Sequence, residues 1–156
     1  MTSLIGEFEC KVDAKFRFMF PVSLRKQLGD MFDKGFVVNR NLHQKCLTLY
    51  TVEEWNKLNK KLSKLNRLVK SNDVLVRKII GGATNVEADN TGRVLLPRTL
   101  AEHADIKSDI KVIGSNNIIE IWDKKLYEEF LSTDVNIEKL AEDVLGGLNF
   151  NDDDGE

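Results

Sequence analysis

Two aspartate–arginine pairs with one spacing are the residues of this chain best suited to chemistry. Asp13 and Arg17 lie in VDAKFRFMFPVSL at 12–24, and Asp89 and Arg93 lie in ADNTGRVLLPRTL at 88–100. An aspartate four residues before an arginine can lock a turn through an ion pair. An arginine can instead grip a phosphate, or the O6/N7 edge of guanine, with two hydrogen bonds. Lys11 and Lys15 flank the first pair and suit phosphates, which anchor a protein without reading sequence. Arg17, with these two lysines, is therefore the leading nucleic-acid contact. Arg93 is its counterpart, although its acidic surroundings favour a structural pair with Asp89. Asp13 supports Arg17 under either reading.

Other chemistries find little to build on. Cys10 and Cys46 align with Val86 and Ile118 of the repeated segment, aliphatic positions, so both are read as small buried hydrophobes. His43-x-x-Cys46 falls short of a zinc ligand set, and His43 and His103 have no catalytic partner in sequence. A Gly-rich phosphate loop and a Ser/Cys–His arrangement are also missing, so no enzyme, cofactor or metal is expected. Net charge is −2, but residues 1–82 hold 16 Lys/Arg against 8 Asp/Glu, net +8, and residues 83–156 hold 7 against 17, net −10. Such asymmetry is read either as a polyanion-binding face with an acidic tail or as a solvated surface with unevenly distributed charge. No apolar run approaches a membrane span and no secretory signal is visible, so a cytoplasmic chain is expected.

The elements that must position the two pairs come as a repeat. Asp13, Arg17, Pro21 and Leu24 return as Asp89, Arg93, Pro97 and Leu100, a shift of 76. CLTLYTVEEWNKL at 46–58 returns as IIEIWDKKLYEEF at 118–130 with a shift of 72, which implies a four-residue insertion, assigned to the loop GFVVNRNLHQK. Each copy reads as strand, polar turn, strand, short helix, strand, turn, strand, helix. Phe8, Cys10 and Val12 alternate with polar residues as a half-buried strand. Phe18–Phe20 and Val94–Leu96 are consecutive apolar runs, read as strands buried on both faces. Pro21 and Pro97 open short helices. A helix is expected over 52–70, its seam of Trp55, Leu58, Leu62, Leu65 and Val69 covering the sheet or a neighbour, its lysines solvated. Ser71–Asp73 should cap a further helix, Val74–Ile80, which Gly81-Gly82 ends. An amphipathic helix carrying Ile137, Leu140, Ala141, Val144, Leu145 and Leu148 precedes an acidic tail, NDDDGE, read as disordered.

Asp-x-x-x-Arg followed by three apolar residues and proline, present twice and joined by a helical linker, resembles the MraZ family of bacterial transcriptional regulators. GEFECKVDAKFRFMFPVSLRKQL matches its first motif, VEADNTGRVLLPRTLAEHADI its second, and VRKIIGGA the segment before the second. The resemblance implies an α+β fold. Two tandem AbrB-like swapped-hairpin repeats would form an intramolecular pseudo-dimeric barrel with flanking helices. The divisions expected are 5–52 and 81–124 for the repeats, 53–80 for a helical connector, 125–148 for carboxy-terminal helices and 149–156 for the tail. It further implies a nucleoid-associated repressor, binding short direct repeats in double-stranded DNA upstream of the division and cell-wall genes, its own included. A ring-like homo-oligomer is the implied assembly, with Asp13, Arg17, Asp89 and Arg93 as motif positions. The family has glycine before the motif arginine, as in Thr91-Gly92-Arg93, whereas the first copy has Phe16. Either that turn has another shape or Phe16 is exposed at its tip. The rival reading is an antitoxin-like interaction module using the helix at 136–148.

Overall fold

The computed structural model describes residues 3–133 and 135–146. The first copy supplies β1 (Leu4–Lys11), β2 (Arg17–Met19), α1 (Val22–Leu28), β3 (Phe36–Arg40), β4 (Leu47–Thr51) and α2 (Val52–Ser63). After α3 (Lys70–Gly82), the second copy repeats the order as β5 (Thr84–Val86), β6 (Arg93–Leu95), α4 (Arg98–His103), β7 (Asp109–Asn116), β8 (Ile118–Asp123) and α5 (Lys124–Leu131). α6 (Ile137–Leu145) follows. The fold is α+β, as expected.

The copies pair with each other through β1–β7, β4–β8, β3–β5 and β2–β6. One antiparallel sheet runs β1-β7-β8-β4-β3-β5, and β2 and β6 form a separate two-stranded ribbon. Each hairpin, β3–β4 or β7–β8, thus takes the other copy's first strand as its outer neighbour. A pseudo-twofold axis passes through the pairs Phe18–Val94 and Thr48–Glu120. Between sheet and ribbon lies one core that includes Phe18, Phe20, Leu24, Phe36, Val94, Leu96 and Ile121.

Three expectations need correction. A closed barrel is not found among the described residues. β1 and β5 end the strand order, β5 has only three residues after α3, which runs to Gly82, and β2 and β6 lie outside that sheet as a separate ribbon. The apolar runs are not buried on both faces. Phe18, Phe20, Val94 and Leu96 point inward, while Met19 and Leu95 are each 51% exposed. The four-residue insertion is also divided. Equivalent residues are offset by 76 at Cys10 and Val86, by 74 at Phe36 and Ile110, and by 72 at Thr51 and Asp123. Two extra residues therefore fall before β3, where Gly29–Lys34 forms a 3-10 helix, and two in the β3–β4 loop.

The linker differs too. Instead of one helix over 52–70, α2 stops at Ser63 and α3 begins at Lys70, so Ser71–Asp73 lie inside α3 rather than capping it. The seam of α2 is covered by α3: Leu62, Val76 and Ile79 form a cluster with Trp55, Leu58 and Leu65 against it. Val69 stands outside it and is exposed. The buried Asn39 of β3 ties this helical hairpin to the sheet, its Nδ2 donating to the Ile79 carbonyl at 2.7 Å. α6 forms where the periodicity places it, yet none of its residues is buried. Leu148 and the acidic tail lie outside the described residues.

Candidate nucleic-acid interface

In each copy the motif aspartate builds its turn from both ends. The Asp13 N–H donates to the Arg17 carbonyl at 2.9 Å, and the Phe16 N–H returns to the Asp13 carbonyl at 2.9 Å. Asp13 Oδ1 accepts from the N–H groups of Lys15 and Arg17, and Oδ2 from Arg17 Nε at 2.8 Å. Asp89 repeats the pattern with Thr91 and Arg93, the Arg93 Nε bond being 3.1 Å. The hydrogen bonds from Arg17 hold the Asp13 carboxyl below its ordinary range, led by the Arg17 backbone N–H. Asp89 is held far below it, by the Arg93 N–H first and the Thr91 hydroxyl second.

Phe16 does not change the turn. It takes φ 63°, the left-handed region in which Gly92 sits at φ 88°. Its ring packs against the core instead of standing exposed at a tip. The turns interlock: the Leu96 N–H donates to the Phe16 carbonyl at 2.9 Å, and the Phe20 N–H to the Gly92 carbonyl at 3.0 Å. The side chains compensate as well. A Cβ at Gly92 would lie 3.1 Å from Nη1 of Arg25, whose guanidinium stacks 4.4 Å over the Phe32 ring. The position equivalent to Arg25 in the second copy is Ala101, fully buried.

The ribbon brings both motif arginines to one outward face. Arg17 lies opposite Leu95 and Met19 opposite Arg93, flanking the inward pair Phe18–Val94. The arginines are diagonal neighbours, about 7–8 Å apart by sheet geometry. That face carries two cations, each partly tied to its aspartate, and two exposed apolar side chains.

The model of the family described as MraZ protein matches twice, over residues 4–78 and 79–146. The chain belongs to the MraZ family. It is 46% identical over 152 residues to the transcriptional regulator MraZ of Christiangramia forsetii, covering 96% of this chain and 97% of the relative. It is 44% identical over 150 residues to that of Flavobacterium psychrophilum, covering 96% of each. A more distant relative of the same name, from Thermoanaerobacter pseudethanolicus, is 39% identical over 140 residues, covering 89% of this chain and 94% of the relative.

Within this MraZ-family chain the expected contacts are not equivalent. Lys15 is exposed beside Arg17. Its counterpart Thr91 turns its hydroxyl toward Asp89 Oδ1 and also accepts from Arg93 Nε at 3.1 Å, so Arg93 is held by two acceptors and Arg17 by one. Lys11, on β1, approaches Asp109 only at 4.0 Å and stays exposed. Three residues near the turns escaped the sequence reading. Met19 and Leu95 were concealed by apolar runs, and Arg25 had no distinctive spacing. Arg25 also carries first-copy charge to the second turn, so the linear division of charge is not a spatial one.

Cys46 is buried beside Trp122 and Tyr127, which pushes its thiol far up. Cys10 is half-buried and pushed up to about 11 by burial. His43 and His103 are exposed, on the β3–β4 loop and on α4. Among the described residues no group of three or more His, Cys, Asp or Glu could hold a metal ion, and no helix is long and apolar enough to cross a membrane.

Proposed function

We propose that this chain is a transcriptional regulator that binds double-stranded DNA and has no enzymatic activity. The observation that carries the reading is the two-stranded ribbon, which sets two corresponding Asp–Arg turns side by side on an exposed face. A two-stranded β-ribbon is narrow enough to enter the major groove. Arg17 and Arg93 provide the candidate base or phosphate contacts there, and Lys11 and Lys15 the flanking phosphate contacts. Asp13 and Asp89 hold the turns and so position the arginines. Relatives named as transcriptional regulators support the same conclusion.

The finer reading is a nucleoid-associated repressor of the division and cell-wall genes, its own gene included, recognising short direct repeats as a ring-like homo-oligomer. Identical turns repeated around an assembly engage successive repeats, and each further contact is effectively intramolecular. DNA binding to the region upstream of its own gene, measured with Arg17→Ala and with one or several repeats, tests this. Loss of affinity on both changes is expected. Equal affinity of variant and parent, or of one and several repeats, counts against it. The alternative, an antitoxin-like interaction module, is favoured by one observation, the exposed apolar stripe of α6. A chain without affinity for that DNA would favour the alternative.

A further inference from the structure

Among the described residues α6 is a helix without its partner. Thr51 and Asp123 are equivalent N-caps, accepting from the Glu54 and Leu126 N–H groups, so α5 is the counterpart of α2 and α6 that of α3. α3 buries Val76 and Ile79 against α2. α6 instead exposes Ile137, Leu140 and Val144, at 69%, 48% and 58%, a stripe stepping by three and four along one face. A stripe of that size left in water forfeits the burial that normally stabilises so short a helix.

A seat of matching character exists elsewhere on the chain. Between α2 and α3 runs an open groove of about 630 Å³, floored by Leu62, Leu65 and Val76, with Ile80 at its wall and Arg67 and Arg77 at its rim. The charges are complementary. Residues 52–82 hold eight Lys/Arg against three Asp/Glu, whereas 135–146 hold one lysine against Glu138, Glu142 and Asp143. Of the basic groups only part is neutralised locally, Arg67 and Arg77 sharing the single Asp73.

We propose that α6 of one chain docks in the α2–α3 groove of a second copy. The inference rests on the self-assembly proposed above and names its surfaces; it does not require DNA. Donor and acceptor faces differ, so the contact is head-to-tail and propagates until the rotation closes. The apolar stripe supplies the burial, and the acidic flank against the basic rim sets orientation.

The test uses the full chain and light scattering after size exclusion at micromolar concentration. The donor variant is Leu140→Gln with Val144→Gln, both exposed positions. The acceptor variant is Ile80→Gln with Arg77→Gln, also exposed. Circular dichroism should match the parent for both. The parent should form a multi-subunit species, and each variant alone should run as a monomer. An equimolar mixture should give a one-to-one dimer, because one intact donor meets one intact acceptor and neither end can extend. Assembly that survives either variant, or a mixture without the dimer, overturns this interface while leaving self-assembly standing. A monomeric parent overturns both.

Discussion

Phe16 and Gly92 hold the same left-handed position at different cost. A side chain there loses about 1–2 kcal/mol against the following carbonyl, and Phe16 offsets the strain by packing its ring on the core. Phe16→Ala should therefore destabilise more than Phe16→Gly, by about 1 kcal/mol, because alanine keeps the strain and loses the burial; urea unfolding of both variants measures the difference. The aspartates make a second prediction. Their folded carboxyls titrate below the unfolded value, so their contribution is fully present above an unfolded pKa of about 3.9 and is lost as pH falls through the lower folded value. NMR titration should find Asp13 and Asp89 still ionised at the pH where an unperturbed aspartate is half-protonated. Ordinary midpoints would mean that the turns do not hold. In binding, Arg17→Ala or Lys15→Ala should weaken the DNA complex much more than Arg93→Ala, with all three folded by circular dichroism. Equal losses would make the two turns equivalent.

The helical hairpin hangs on few groups. Asn39 bridges β3 and α3 by donating to the Ile79 carbonyl and accepting from the Arg40 N–H at 2.8 Å. A Cβ at Gly82 would collide with Asn39 Oδ1 and come within 2.8 Å of Arg40 Nη2. Asn39→Ala should cost about 1–3 kcal/mol, the range for a buried bond left without its partner. Ile79→Ala should cost about 2–5 kcal/mol through the cavity. Thermal unfolding measures both, and surface-like values below 0.5 kcal/mol would show that the hairpin is not docked. At this scale the sequence was readable where side-chain period and turn chemistry act locally. Strands, short helices after Pro21 and Pro97, and both turns followed from spacing. What misled was tertiary. The break at 64–69 carries no proline or glycine, and the seam of α2 did not reveal that α3 would cover it. Consecutive apolar residues at 18–20 and 94–96 could not tell that the ribbon has one open face.

At the scale of the molecule, internal duplication does what two chains would otherwise do. Each copy lends its first strand to the other's hairpin, and the ribbon on the axis sets the Asp–Arg turns together. Pairing between the copies was implied by the family resemblance, but the open ends at β1 and β5, where a barrel was expected, were not foreseen. The length of β5 depends on where α3 stops. Nor did the sequence show that Arg25 reaches the other copy's turn, a contact made only by the fold. The paired turns are proposed to form an electrostatic DNA face. The most direct test is the affinity of the chain for the several-repeat DNA upstream of its own gene, measured across a salt series, with Arg17→Ala alongside. Releasing counterions from Z phosphates gives a log–log slope of about −0.9Z. A steep linear fall with salt is expected for the parent and a weaker, shallower line for the variant. A tight complex flat between low and moderate salt, or one indifferent to Arg17, would contradict it.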